Sequence, residues 1–90
     1  MEKSGKKRTV IRDVEGLKIL AKQVKLVRKR LGYTQERLAA DSGLELSQIA
    51  RIETAKTNPT VSTMMRIART LEIPVSHLFE FKLDKGDYSK

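Results

Sequence analysis

Residues 35–52 read Gln35-Glu36-Arg37-Leu38-Ala39-Ala40-Asp41-Ser42-Gly43-Leu44-Glu45-Leu46-Ser47-Gln48-Ile49-Ala50-Arg51-Ile52. Their spacing predicts two short helices around a tight turn. The first covers Gln35–Ser42, with Leu38 and Ala39 facing inward. The second runs from Glu45 to Thr54, with Ile49 and Ile52 inward. Two helices crossing at roughly 90–120° bring their backbones close, so the residue at the crossing must be small; Ala39 is. The turn needs a positive φ, which Gly43 adopts without steric cost. Leu38 and Leu44 complete the plug. A lone Ala or Gly would mean little, whereas Leu38, Ala39, Gly43, Ile49 and Ile52 in register form a fairly strong signal.

The flanks extend the same pattern. From Val14 to Leu31, the residues Leu17, Leu20, Val24, Val27 and Leu31 recur at steps of three and four, one apolar helical stripe. Asp13 is placed to cap its start and Gly32 marks its stop. Ile19 and Leu26 fall off the stripe, as spare surface or as a second face for a partner. Thr34 is the N-cap of the helix from Gln35. Past the loop Lys56-Thr57-Asn58-Pro59, Thr60 caps a helix over Val61–Leu71 with Val61, Met64, Ile67, Ala68 and Leu71 inward. Met64 and Met65 read as core filler. Pro74 opens a last short helix carrying Leu78 and Phe79, both read as core. The reading is therefore an all-α, compact five-helix domain over residues 14–81, after a basic flexible N-terminal arm (1–13) and before a polar tail (82–90). Thr9–Arg12 has some strand character with no evident pairing partner.

Ninety residues make at most one domain of ordinary size. There is no cysteine and one histidine, His77, which excludes disulfides, thiolate sites and a multi-histidine metal centre within one chain. No metal and no cofactor is expected. No apolar run approaches the roughly 20 residues of a membrane span, and no signal segment opens the chain. A nucleophile–base set and a glycine-rich phosphate loop are both missing, so the reading is not an enzyme. The net charge is +8, and it is lopsided. Residues 1–30 hold 11 Lys/Arg against 3 acids, while the basic and acidic residues of 31–90 cancel. Such asymmetry fits a polyanionic partner, nucleic acid or anionic membrane, or a tail kept soluble by charge.

Residues 20–81 resemble the Cro/CI-type (XRE-like) helix-turn-helix family. The residues that carry the resemblance are Thr34-Gln35, Leu38-Ala39, Gly43, Ile49, Arg51-Ile52-Glu53, Asn58-Pro59-Thr60, Ile67-Ala68, Leu71 and Leu78-Phe79. It implies a lambda-repressor-like, five-helix, usually dimeric domain that binds double-stranded DNA as a transcriptional regulator, in a prokaryotic cytoplasm and on the nucleoid when bound. It places Gln35 on a DNA phosphate and the exposed N-terminal face of the third helix in the major groove. By register that face is Glu45, Leu46, Ser47, Ala50 and Arg51. The chemistry agrees: Arg51 can grip guanine O6 and N7 with both arms of its fork, Ser47 both donates and accepts, and Leu46 offers an apolar contact to a thymine methyl. Gln48 falls beside the backbone, and Thr54, Lys56, Thr57 and Asn58 fall near phosphates. In the arm, Lys6, Lys7 and Arg8 either track the DNA or serve solubility.

The resemblance further implies a structural ion pair, Arg28 with Glu53, between the first helix and the end of the third. Two positions depart from the family pattern. Gly is common where Ala55 stands, so the third helix is expected to end differently; Ser, Thr or Asp is common where Glu45 stands. A homodimer is expected, joined near Val75, Leu78, Phe81 and Leu83. No small-molecule ligand and no membrane partner is implied. The alternative is an antitoxin-like module that binds a partner protein, for which Ile19, Leu26 and Phe81 could serve.

Overall fold

A computed structural model describes residues 11–85. Four α-helices and one 3-10 helix follow in order: α1 (Val14–Arg30), α2 (Gln35–Ser42), α3 (Leu46–Glu53), α4 (Val61–Leu71) and the 3-10 helix (Val75–Phe79). Among the described residues there is no strand. The fifth helix of the sequence reading is thus a tighter 3-10 turn, and α3 is one residue shorter at each end, with Glu45 as its N-cap and Thr54 as its C-cap.

Three helix starts follow from side-chain caps. Asp13 Oδ1 accepts from the Gly16 N–H at 2.8 Å, Thr34 Oγ1 from Arg37 N–H at 3.0 Å, and Thr60 Oγ1 from Thr63 N–H at 3.1 Å. Each satisfies one amide that the helix itself leaves without a partner. α2 ends on Gly43 at φ 76°, whose N–H returns to the Ala39 carbonyl at 3.0 Å. Arg66 of α4 donates to the Ser42 carbonyl at 2.8 Å, which covers a second orphan acceptor of the α2 terminus.

α3 packs on both α2 and α1, α4 packs on α2, and the 3-10 helix bridges α1 and α4. The core is Leu20, Val24, Leu38, Ala39, Ile49, Ile52, Met64, Ile67, Ala68, Leu71 and Leu78. Helices of eight to eleven residues are too short to persist alone, so this shared core holds them.

Four residues read as inward lie outward. Val61 is 68% exposed, because it opens α4 beyond the reach of the core. Met65 is exposed because the buried line Met64, Ile67, Ala68 and Leu71 leaves it on the next face. Leu31 caps α1 past its last turn and is exposed. Phe79 is 45% exposed while Leu78 is fully buried; successive residues of a 3-10 helix stand about 120° apart and cannot both face inward.

α3 is followed by Ala55 at φ 59°, so the chain takes the left-handed turn that glycine favours although alanine stands there. An L-residue in that region carries roughly 1–2 kcal/mol of strain. Ala55→Gly relieves it against the extra freedom glycine has when unfolded. The variant is expected to gain about 0.5–1 kcal/mol in urea unfolding, and a loss would show that the turn is unstrained.

Candidate nucleic-acid interface

The centre of the site is a buried ionic cluster that fixes where α3 points. Arg28 Nε donates to Glu53 Oε2 at 2.6 Å and Nη2 to Oε1 at 2.9 Å, a two-pronged pair between α1 and the end of α3. Both side chains are nearly inaccessible, at 6% and 1%. Arg28 Nη1 donates to the Tyr33 carbonyl at 2.6 Å, and Gln35 Nε2 donates to Glu53 Oε1 at 2.9 Å. Four segments therefore meet on one carboxylate and one guanidinium: α1, the turn before α2, the start of α2 and the end of α3. The hydrogen bonds it donates to Glu53 hold the Arg28 guanidinium above its usual pKa, against the opposing effect of burial. A basic group whose pKa is raised on folding adds stability at every pH below its unfolded value and loses it only above. The contribution is therefore fully present at neutral pH.

On the outer side of this cluster, Glu45, Leu46, Ser47 and Arg51 are exposed and Ala50 is half-buried. The inner side of α3 is Ile49, Ile52 and Glu53. The eight-residue helix thus presents one continuous outer face on a base anchored at both ends. Gln48 Oε1 accepts from the Glu45 backbone N–H at 3.0 Å, which ties down the start of α3. The Thr54 hydroxyl donates to the Ala50 carbonyl at 2.8 Å within the last turn.

Gln48, Arg51, Thr57 and Asn58 line one groove of about 270 Å³ with Ile52, Pro59, Thr60 and Thr63. Lys56 is exposed on the same loop. The groove thus joins Gln48 and Arg51 of α3 to Thr57 and Asn58 of the following loop. Lys6, Lys7 and Arg8 lie outside the described residues.

Three contributors were missed in the sequence. Thr63 lines the groove, its hydroxyl 3.0 Å from that of Thr60; the Thr60-x-x-Thr63 spacing was its only signal. Arg12 reaches across to the Ala55 carbonyl at 3.3 Å. Arg37 lies 4.6 Å from the centre of the Tyr33 ring. The Arg12 contact joins residues 43 apart and has no signal in spacing, whereas Tyr33 and Arg37 are only four apart, a spacing that the sequence does show.

The helix-turn-helix family model HTH_3 matches residues 24–78. The chain belongs to this family. Its relatives include the HTH-type transcriptional regulator SlrR of Bacillus subtilis, 35% identical over 63 residues, covering 69% of this chain and 41% of SlrR. Antitoxin HipB of Escherichia coli K12 is 35% identical over 57 residues, 63% of this chain and 65% of HipB. The crystal structure of the restriction-modification controller protein C.AhdI from Aeromonas hydrophila superposes with a TM-score of 0.70 at 28% identity, covering 72% of this chain and 98% of that one. The helix-turn-helix chain thus spans less than half of SlrR and about two thirds of HipB. No helix among its described residues is long and apolar enough to cross a membrane, and no group of three or more His, Asp or Glu there could hold a metal ion.

Proposed function

We propose that this chain is a sequence-specific double-stranded DNA-binding regulator of transcription, acting in the cytoplasm with the outer face of α3 in the major groove. The observation that carries this reading is the helix-turn-helix corner locked by Arg28, Glu53 and Gln35, with Arg51 exposed beside a groove. Arg51 reads guanine through its fork, while Leu46, Ser47, Ala50 and Glu45 complete the base-facing surface. Glu45 is tolerated there where it accepts from cytosine N4. Gln35 has a second amide hydrogen besides the one given to Glu53, which suits a phosphate. Gln48, Thr54, Lys56, Thr57 and Asn58 meet the backbone around it, and Lys6, Lys7 and Arg8 extend the contact to flanking phosphates.

A second copy completes the reader. One recognition helix spans only a few base pairs, and a two-fold pair sets two of them roughly 34 Å apart on a near-palindromic site. Leu17, Val61, Phe79, Phe81 and Leu83 border an apolar groove of about 400 Å³, and exposed apolar surface of this kind marks an interface. The interface centres on this groove rather than on Leu78, which is fully buried in the core, or on Val75, which lines a separate hollow with Met65 and Ile73. The similarity to antitoxin HipB supports a second reading, in which the same groove holds a partner protein. Sedimentation of the purified chain separates the two: a dimer at micromolar concentration supports the first, a monomer the second.

Arg51→Ala tests the DNA reading. It is expected to weaken binding to the preferred duplex by about 1–3 kcal/mol and to relax selectivity at one base pair. Wild-type affinity in this variant would place α3 outside the groove.

A further inference from the structure

α1 carries a surface that the α3 face does not use. Lys18, Lys22, Lys25 and Lys29 are all exposed and recur at steps of four, three and four. At about 100° per residue they fall within roughly 60° of one another, a row roughly 16 Å long at 1.5 Å per residue. The row is centred roughly 130° around the helix from the buried line of Gly16, Leu20, Ala21, Val24 and Arg28.

Among the described residues, no ion pair joins any lysine of this row. The ion pairs there join Arg28 to Glu53, Arg37 to Asp41 and, when His77 is protonated, His77 to Glu80. Glu15, the sole carboxylate of α1, stands three residues before Lys18 on the same face and forms no ion pair with it, so four lysines are set against a single carboxylate. Lysines three and four apart on a helix repel each other. The helix dipole favours Lys29 in the last turn, but it gives no reason for Lys18 and Lys22 in the first half.

We propose that the row is a second contact to the backbone phosphates of duplex DNA, blind to sequence and separate from the α3 face. It rests on the reading that this chain binds DNA. An ammonium is a compact point charge without arginine's planar fork, so a line of lysines suits phosphates, and contacts to phosphates carry no sequence code. The row begins at Lys29, beside Arg28, whose guanidinium touches both Glu53 of α3 and the Tyr33 carbonyl before α2. From there it runs away from the helix-turn-helix corner, where it can neutralise phosphates beyond the segment that α3 reads. Beside it, Leu26 is exposed and Ile19 half-buried, too little apolar surface to insert into a lipid interface.

The test compares the full-length chain with Lys18→Gln/Lys22→Gln and with the charge-matched Arg69→Gln/Lys85→Gln. Glutamine keeps the helix propensity of lysine. Affinity is measured against salt on a selected duplex and on a scrambled one. Each phosphate neutralised contributes about −0.9 to the slope of log K against log salt. Lys18→Gln/Lys22→Gln should flatten the slope by about 1–2 units per bound copy, about 2–4 for a two-fold pair, and weaken both duplexes by the same factor, leaving the ratio between them unchanged. Arg69→Gln/Lys85→Gln should keep the wild-type slope. An unchanged slope in Lys18→Gln/Lys22→Gln, or equal flattening in both variants, overturns the proposal. So does a wild-type slope accompanied by lost binding to phosphatidylserine vesicles, which assigns the row to a membrane surface. A wild-type chain that selects no duplex sinks the DNA reading itself, whereas intact selection with an unchanged slope sinks only the row.

Discussion

Glu53→Ala should destabilise the domain by about 3–5 kcal/mol. The carboxylate is nearly inaccessible and accepts from Arg28 twice and from Gln35 once. Its removal leaves the Arg28 guanidinium buried with only the Tyr33 carbonyl as a partner. Pairing with an apolar partner change, Arg28→Met with Glu53→Leu, should recover part of the loss, since no charge is then stranded. Recovery stops short of wild type because the Tyr33 carbonyl loses its donor. A domain stabilised by 5–15 kcal/mol in all would be visibly weakened by the single change. Urea unfolding followed by circular dichroism reads the effect as a lower midpoint at constant slope. A loss below about 1 kcal/mol, or strictly additive single losses, would show the residues uncoupled.

Ile49→Ala should cost about 2–5 kcal/mol. Ile49 is almost wholly buried on the inner face of α3 and belongs to the core shared with α2 and α4. Its loss leaves a cavity that a short, end-anchored helix cannot close without moving. DNA affinity should then fall on every duplex at temperatures where the variant is still folded, because the whole outer face of α3 shifts. A variant that binds as wild type while losing stability would show that the Arg28–Glu53 cluster alone orients α3.

Most of the fold was legible because its determinants are local. Asp13, Thr34 and Thr60 cap the helices they precede, and Gly43 takes the left-handed turn that the corner demands. Leu38, Ala39, Ile49 and Ile52 were read as inward and are buried. What was missed depends on where a helix meets its neighbours. Val61 has the right helical phase but sits past the edge of the core, and the outward turn of Phe79 beside the buried Leu78 follows from 3-10 rather than α geometry. At Ala55, residue identity pointed away from a left-handed turn, yet the chain between α3 and the loop takes it. The link from Gln35 to Glu53 joins residues 18 apart and could not be read from spacing. Gln35 was placed on a phosphate from the family pattern alone, and its structural bond adds a reason for a Gln35→Ala variant to lose stability as well as affinity.

The DNA reading is tested most directly by selecting duplexes from a random pool with the full chain and measuring affinity for the selected and scrambled sequences at one salt concentration. Sequence-specific binding through a pair of α3 helices should enrich a near-palindromic site bound at least about 10³-fold more tightly than its scrambled form. A pool that yields no enriched sequence, with a ratio near one, would contradict it.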